Sequence, residues 1–353
     1  MDRYIRQTAL PDFGTDGQDR LTAAKVLVVG LGGLGLPALQ YLNAMGVGTI
    51  GIMDMDTVEY HNLQRQILYA EEDVGKSKLE VALRKLQSQN SETEVVPHAT
   101  FLSKENALDV IQNYDVVVDA SDNFPTRYLI NDTCVILNKP FVYGALHGFE
   151  GHVSVFNYGE GPTYRCLYPN EPKADEVPDC NENGVLGVIP GIIGNLQALE
   201  TIKVLTGVGE VLAGRLLVFN GLQPTFRTIK FQANLKNKSR DALKEHYGIL
   251  HCAGVATLSV EVFSEKRMTT DYALLDVRTV GEFSKHRLAE AIHVPMDKLD
   301  LPEHLKNTSK PIYVICQSGR RSEQAIARLQ ETYPELNFYN VLGGMNQLSL
   351  HTH

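Results

Sequence analysis

The chain has 353 residues, 43% hydrophobic and 21% charged, with 29 Gly and 15 Pro. This is the composition of a globular protein long enough for two domains, and it excludes disordered, collagen-like and low-complexity architectures. No uninterrupted apolar run reaches the roughly 18 residues of a membrane span, and a net charge of −9 without any basic stripe argues against a nucleic-acid ligand.

The start, Met1-Asp-Arg-Tyr-Ile-Arg-Gln7, is charged and has no apolar core before a cleavage site, so a cytoplasmic protein is expected. Short β-rich runs then alternate with helical patterns. Strands are expected over Lys25–Gly30, Thr49–Asp54, Glu94–Ala99 and Asp115–Asp119, with helices over Leu36–Ala44 and Lys76–Gln89 behind the first two. Gly151–Tyr158 and Arg215–Asn220 extend the sheet, with an apolar helix over Ile192–Leu205 between them and a long irregular loop at 159–184. The pattern is α/β: a Rossmann-like, doubly wound sheet with an antiparallel extension over residues 1–235, a linker over 236–256, and a smaller α/β domain over 257–353.

Gly30-Leu-Gly32-Gly33-Leu-Gly35 follows the first strand and opens a helix. Glycines there let backbone N–H groups approach a phosphate, and Asp54 at the next strand tip is placed for ribose hydroxyls. An NAD-dependent dehydrogenase has the same fingerprint, but hydride transfer needs no array of charges. Here Asn62-Leu-Gln-Arg65-Gln66, Lys78 and Asp119-Ala-Ser-Asp122-Asn123 bring cations and carboxylates to the strand ends, which suits reaction at a triphosphate with Mg²⁺ on a carboxylate. An ATP-binding regulatory protein with a sensor thiol is the alternative of a different class.

With Arg3-Tyr-Ile-Arg6-Gln7 and Asp54-Met-Asp56 added to those motifs, residues 1–235 resemble the MoeB/ThiF family of the ubiquitin-activating-enzyme superfamily. The resemblance implies a homodimer that uses MgATP to adenylate the C-terminal glycine of a ubiquitin-like sulfur carrier protein (MoaD- or ThiS-like) ending in Gly-Gly. It implies that Gly33, Asp54, Asn62, Arg65, Lys78, Asp122 and Asn123 hold ATP, that Asp122 serves the metal, and that Arg6 reaches the partner subunit's site.

The five cysteines, Cys134, Cys166, Cys180, Cys252 and Cys316, are too scattered for a disulfide framework. Family members often hold a structural zinc with two Cys-x-x-Cys pairs. Here Thr163-Tyr-Arg-Cys166 stands at the first pair and 228–245 contains no cysteine, so no zinc is expected, and His251-Cys252 reads as an ordinary exposed pair. Cys134, in a helical pattern, reads as core. Cys180, in the irregular loop, is placed to reach a reacting carboxyl terminus, and the family uses a cysteine there in some members for a thioester or persulfide link; a neutral loop cysteine is the equal alternative.

In the second domain, strands at Ala273–Arg278 and Pro311–Ile315 lead to Cys316-Gln-Ser-Gly-Arg-Arg321-Ser322 at a helix start. A thiol ringed by backbone N–H groups beside two arginines is a nucleophile. Cys-x4-Arg makes a smaller ring than a phosphatase's Cys-x5-Arg and fits a single terminal sulfur. Together with Asp276-Val-Arg278, Gly281-Glu-Phe283, Ala291-Ile-His-Val-Pro295 and Val341-Leu-Gly-Gly344, residues 257–353 resemble a rhodanese sulfurtransferase domain, which implies a Cys316 persulfide fed by a persulfide or thiosulfate donor. The two resemblances together imply thiocarboxylate formation, with molybdopterin (molybdenum cofactor) synthesis first among the pathways and thiamine synthesis or tRNA thiolation second.

Overall fold

The computed structural model describes residues 3–172, 184–245, 247, 255–269, 271–317 and 319–348, with backbone alone at 261, 320 and 346. The chain forms two compact units, Met1–Gly248 and Ile249–His353.

The first unit grows from β1 (Lys25–Val29), which is buried on both faces after its first residue, as a strand covered by helices on two sides must be. Val26 and Val28 pack with Leu36, Leu39 and Ile50, while Leu27 and Val29 pack with Tyr128, Phe141 and Tyr143. The other strands are β2 (Thr49–Met53), β3 (Glu94–His98), β4 (Val116–Asp119), β5 (Phe141–His147), β6 (Glu150–Phe156), β7 (Arg215–Asn220) and β8 (Thr225–Lys230), in the order β3-β2-β1-β4-β5-β6-β7-β8. β1 to β5 run parallel and β6 to β8 antiparallel, so the doubly wound sheet with its antiparallel extension is the observed fold. The order reverses between β1 and β4, which opens a crevice at their C-terminal ends.

β5 is an addition to the strands legible in the sequence. Gly144 interrupts its pattern, and the structure shows why glycine stands there: a Cβ would lie 2.4 Å from the Gln197 side chain. Gln197 belongs to the helix Val188–Thr206, four residues longer at its start than its apolar pattern suggests. By length and composition this helix could cross a membrane, contrary to the reading of the uninterrupted runs, but it is the core helix of the unit and half of it is buried. Glycines set its close approach: a Cβ at Gly194 would stand 2.3 Å from the Leu34 carbonyl, and one at Gly151 would stand 2.3 Å from Ile193.

Residues 236–245 and Tyr247, read from sequence as the start of a linker, are tied to the first unit. The carboxylate of Asp132, fully buried, accepts from Arg165 Nε at 2.7 Å and from the Tyr247 hydroxyl at 2.8 Å, and pairs with Arg240 Nε at 3.0 Å. Lys244 pairs with Glu171, which also holds Arg165. Asn131 Nδ2 also donates to the Asp132 carboxylate at 2.8 Å, and a buried carboxylate so held is costly to disrupt, because its partners are left uncompensated. Asp132→Asn is expected to destabilise the first unit by about 3 kcal/mol, measured as a lowered thermal midpoint; an unchanged midpoint would contradict this anchoring.

The second unit is a five-stranded parallel sheet of β9 (Ala256–Leu258), β10 (Ala273–Asp276), β11 (Ile292–His293), β12 (Ile312–Ile315) and β13 (Phe338–Val341), in the order β11-β10-β12-β13-β9. Period-2 alternation divides its residues between two cores. Leu275, Ile312 and Val314 join Ala325, Ile326 and Leu329 on one side, and Leu274, Tyr313 and Ile315 join Phe263 and Met345 on the other. A final helix, Gly344–Leu348, packs through buried Met345 and Leu348 against the second of these cores.

Candidate active sites

The first site lies at the reversal point of the large sheet. Gly30 leaves β1 with φ +101, and a Cβ there would stand 2.7 Å from the Ala120 carbonyl, so only glycine lets the turn lie against the end of β4. The helix Gly35–Ala44 starts without a side-chain cap, which leaves backbone N–H groups of its first turn for an anion. A Cβ at Gly33 would stand 3.2 Å from Pro190 and 3.3 Å from the Arg65 stem, so glycine lets both close over the loop.

Asp54 holds the loop from below. Its Oδ2 accepts from Leu31 N–H at 2.8 Å and its Oδ1 from Asp56 N–H at 2.7 Å, while burial raises its pKa against the opposing charge of Lys78. The expected ribose contact is thus accompanied by a scaffolding duty. Lys78, 6% exposed at the first position of the helix Lys78–Gln89, pairs with Asp56 Oδ2 at 3.1 Å. Buried Tyr69 donates to the carbonyls of Leu31 and Lys78, and burial pushes its hydroxyl pKa up.

Arg65 donates to the His61 carbonyl at 3.1 Å; burial lowers its pKa, and the carboxylates of Asp122 and Glu59 oppose that shift. Asn62 is buried and accepts from Glu59 N–H through its side chain. Asp122 is exposed beside Asn123, whose side chain caps the helix Phe124–Ile136 by accepting from Thr126 N–H at 2.9 Å. Asp119, fully buried, fixes this turn by accepting from Ser121 N–H and Oγ–H, and Arg127 donates to the Ser121 carbonyl. Asp56 and Asp119 stand within the strand-tip motifs of the sequence, whereas Tyr69, Arg127 and Pro190 reach the site with no sequence signal of their own.

The arrangement fits a nucleoside triphosphate with a divalent cation. Glycine-loop donors, Lys78 and Arg65 offer positive groups, exposed Asp122 offers a hard oxygen ligand, and Gln66 Oε1 is buried beside Gly32 without a hydrogen-bond partner. Arg6 is not brought to this site within its own chain. It lies on the exposed helix Ile5–Thr8, whose Tyr4 neighbour packs against Gly46 and whose Gln7 donates to the Met45 carbonyl. That is the far end of the helix Gly35–Ala44, about 15 Å from the glycine loop.

Cys134 is buried in the helix Phe124–Ile136, and burial raises its thiol pKa. Cys166 Sγ accepts from Asn234 N–H at 3.2 Å, and among the described residues no three His, Cys, Asp or Glu side chains gather as a metal cluster. Cys180, His251 and Cys252 lie outside the described residues.

In the second unit Cys316 follows β12 and is fully buried. Its Sγ accepts from Gly319 N–H at 3.1 Å, and Ser322 Oγ stands 3.4 Å away, itself 2.6 Å from Asn340 Oδ1. The helix Arg320–Thr332 points its N-terminus at the loop. The paired glycines close the far wall: a Cβ at Gly344 would stand 2.2 Å from the Cys316 carbonyl, which accepts from Met345 N–H. The expected arginine field is partly neutralised. Arg321 forks onto Glu282, and buried Arg278 forks onto Asp276 while reaching Gln317 Oε1 at 3.2 Å.

Two family descriptions match the chain, the ThiF family over residues 4–240 and the rhodanese-like domain over residues 259–351. Among similar proteins is the adenylyltransferase and sulfurtransferase MOCS3 of Drosophila sechellia, 40% identical over 98% of this chain and 82% of its own length. The protein of the same name from Xenopus laevis is 39% identical over 97% and 85%. Among solved structures, E. coli MccB with AMPCPP and MccA superposes with a TM-score of 0.59 at 25% identity, covering 66% of this chain and 73% of that one.

Proposed function

The chain belongs to the ThiF family, with a rhodanese-like domain following, and from that membership we propose that it converts the C-terminal glycine of a ubiquitin-like sulfur carrier protein into a thiocarboxylate. It is an adenylyltransferase and a sulfurtransferase in one polypeptide. The observation that carries the reading is the pairing, in one chain, of a charged glycine-loop crevice with a cysteine ringed by N–H donors.

In the first step the carrier's carboxylate attacks the α-phosphorus of ATP and pyrophosphate leaves. The glycine loop and the helix Gly35–Ala44 hold the phosphates, Lys78 and Arg65 offset charge gathering on their oxygens, and Asp54 keeps the loop shaped for them. Asp122 would hold Mg²⁺, which would supply further neutralisation of that charge, and Asn123 would hold ATP. In the second step the outer sulfur of a Cys316 persulfide attacks the acyl-adenylate, AMP departs, and an acyl disulfide remains. A thiolate must then attack Cys316 Sγ, which breaks the acyl disulfide, releases the thiocarboxylate and leaves a disulfide to Cys316 that an external thiol reductant reopens; Cys180 is the candidate for that thiolate.

Molybdopterin synthesis is the proposed pathway, ahead of thiamine synthesis and tRNA thiolation, in a cytoplasmic homodimer without structural zinc. The test is ATP–pyrophosphate exchange with candidate carriers ending in Gly-Gly: exchange should depend on the carrier and on that terminus. Absence of exchange with every such carrier would contradict adenylation of this substrate class.

The position of Arg6 makes a further prediction. It sits a helix length from its own glycine loop, which supports the reading that it would serve the adenylation site of a partner subunit. Verified heterodimers of an Arg6→Ala chain with an Asp122→Ala chain should recover about half of a dimer's activity, since one of the two sites is then intact. No recovery would contradict action in trans.

A further inference from the structure

The mouth of the Cys316 loop carries a paired cation whose partner comes from another segment. Arg321, the last cation of the loop, donates from Nη1 to Glu282 Oε2 at 2.8 Å and from Nη2 to Glu282 Oε1 at 2.6 Å. Both side chains remain partly open to solvent, 27% and 32% exposed. Glu282 is itself fixed, because its Oε2 also accepts from Thr279 N–H at 2.9 Å and from the Thr279 hydroxyl at 2.7 Å in a capping box at the start of the helix Val280–Lys285. A bidentate fork onto a carboxylate already held by its own helix is pre-organised, not a chance surface encounter. Arg278 is consumed in the same manner by Asp276. What the described loop leaves for a donor is therefore mainly the dipolar field of N–H groups, such as the Gly319 N–H that reaches Cys316 Sγ.

We propose that Glu282, by holding the Arg321 guanidinium, is a specificity-determining residue that turns the loop away from the doubly charged thiosulfate and toward a singly charged persulfide as sulfur donor. The proposal rests on the reading above that Cys316 is the sulfur carrier of the second unit. Both donors react by the same balanced substitution. The Cys316 thiolate attacks the outer sulfur, the donor's S–S bond breaks, and its electron pair leaves with sulfite in one case and with a thiolate in the other. No oxidant or reductant is consumed. The donors differ in the charge to be brought to the mouth, and a carboxylate beside a neutralised cation penalises the dianion more.

The test is persulfide loading of Cys316 in the full chain, followed by mass spectrometry, with thiosulfate or cysteine persulfide as donor. Glu282→Gln retains the capping box, since Gln also serves at that position, and releases Arg321. It should raise kcat/KM for thiosulfate by about tenfold while cysteine persulfide changes by less than about twofold, and Arg321→Gln in the same chain should remove the gain. An unchanged donor ratio in Glu282→Gln overturns the proposal, as does a gain that survives loss of Arg321. Loss of loading from both donors in Glu282→Gln makes Glu282 a structural support and likewise overturns it. Loading of the wild-type chain from neither donor removes the sulfur-carrier reading itself, and the proposal falls with it.

Discussion

Cys316→Ser is expected to leave carrier-dependent ATP–pyrophosphate exchange within about twofold of wild type and to lower thiocarboxylate formation by about a thousandfold or more. Serine matches the size of a side chain packed among Val314, Ala325 and Ile326, so the second unit keeps its core. A hydroxyl cannot carry an outer sulfur, and that half of the reaction stops. The glycine-loop crevice belongs to the other compact unit, with its own core built on β1, so exchange has no reason to fall. A comparable loss of exchange would show that the two chemistries are not separable in the way their residues suggest.

The reverse pattern is expected of Lys78→Ala and Asp122→Ala. Lys78 is almost fully buried and neutralises Asp56 while lying near Asp54, so its loss removes a cation from the phosphates and leaves two carboxylates to repel them. Asp122 is the exposed carboxylate that faces Arg65 and would hold the metal. Each change should lower exchange by about a hundred- to a thousandfold, the usual cost of removing one preorganised electrostatic group. Loading of Cys316 with sulfur, read on the same preparations, should stay intact. Retained exchange in Lys78→Ala would detach that residue from the triphosphate.

These expectations were legible in the sequence to different depths. The glycine loop, the strand tips bearing Asp54 and Asp122, and the Cys316 loop are local motifs in which residue type and spacing determine geometry, and their elements form with ends shifted by a few residues. What joins them is contact across sequence distance. Pro190 closing over Gly33, Gln197 filling the space above Gly144, and Asp132 anchoring Arg240 and Tyr247 have no signature in a single sequence, since each depends on where the helix Val188–Thr206 and the following strap settle. The arginines show the same limit from the side of charge. Arg320 and Arg321 read as a field around the thiol, whereas Glu282 holds Arg321 in a fork. Motif reading gives the sign of a residue and leaves its partner open.

The central claim is that sulfur passes from Cys316 to a carboxylate activated by ATP in the same protein. The direct test is to load Cys316 with radiolabelled persulfide sulfur, remove free donor, add the carrier with or without MgATP, and follow label on the carrier's C-terminus. Label should leave the chain and appear as carrier thiocarboxylate only when ATP is present, and Asp122→Ala should block the transfer while retaining its label. Label reaching the carrier without ATP, or thiocarboxylate forming while the label stays on Cys316, would contradict the account.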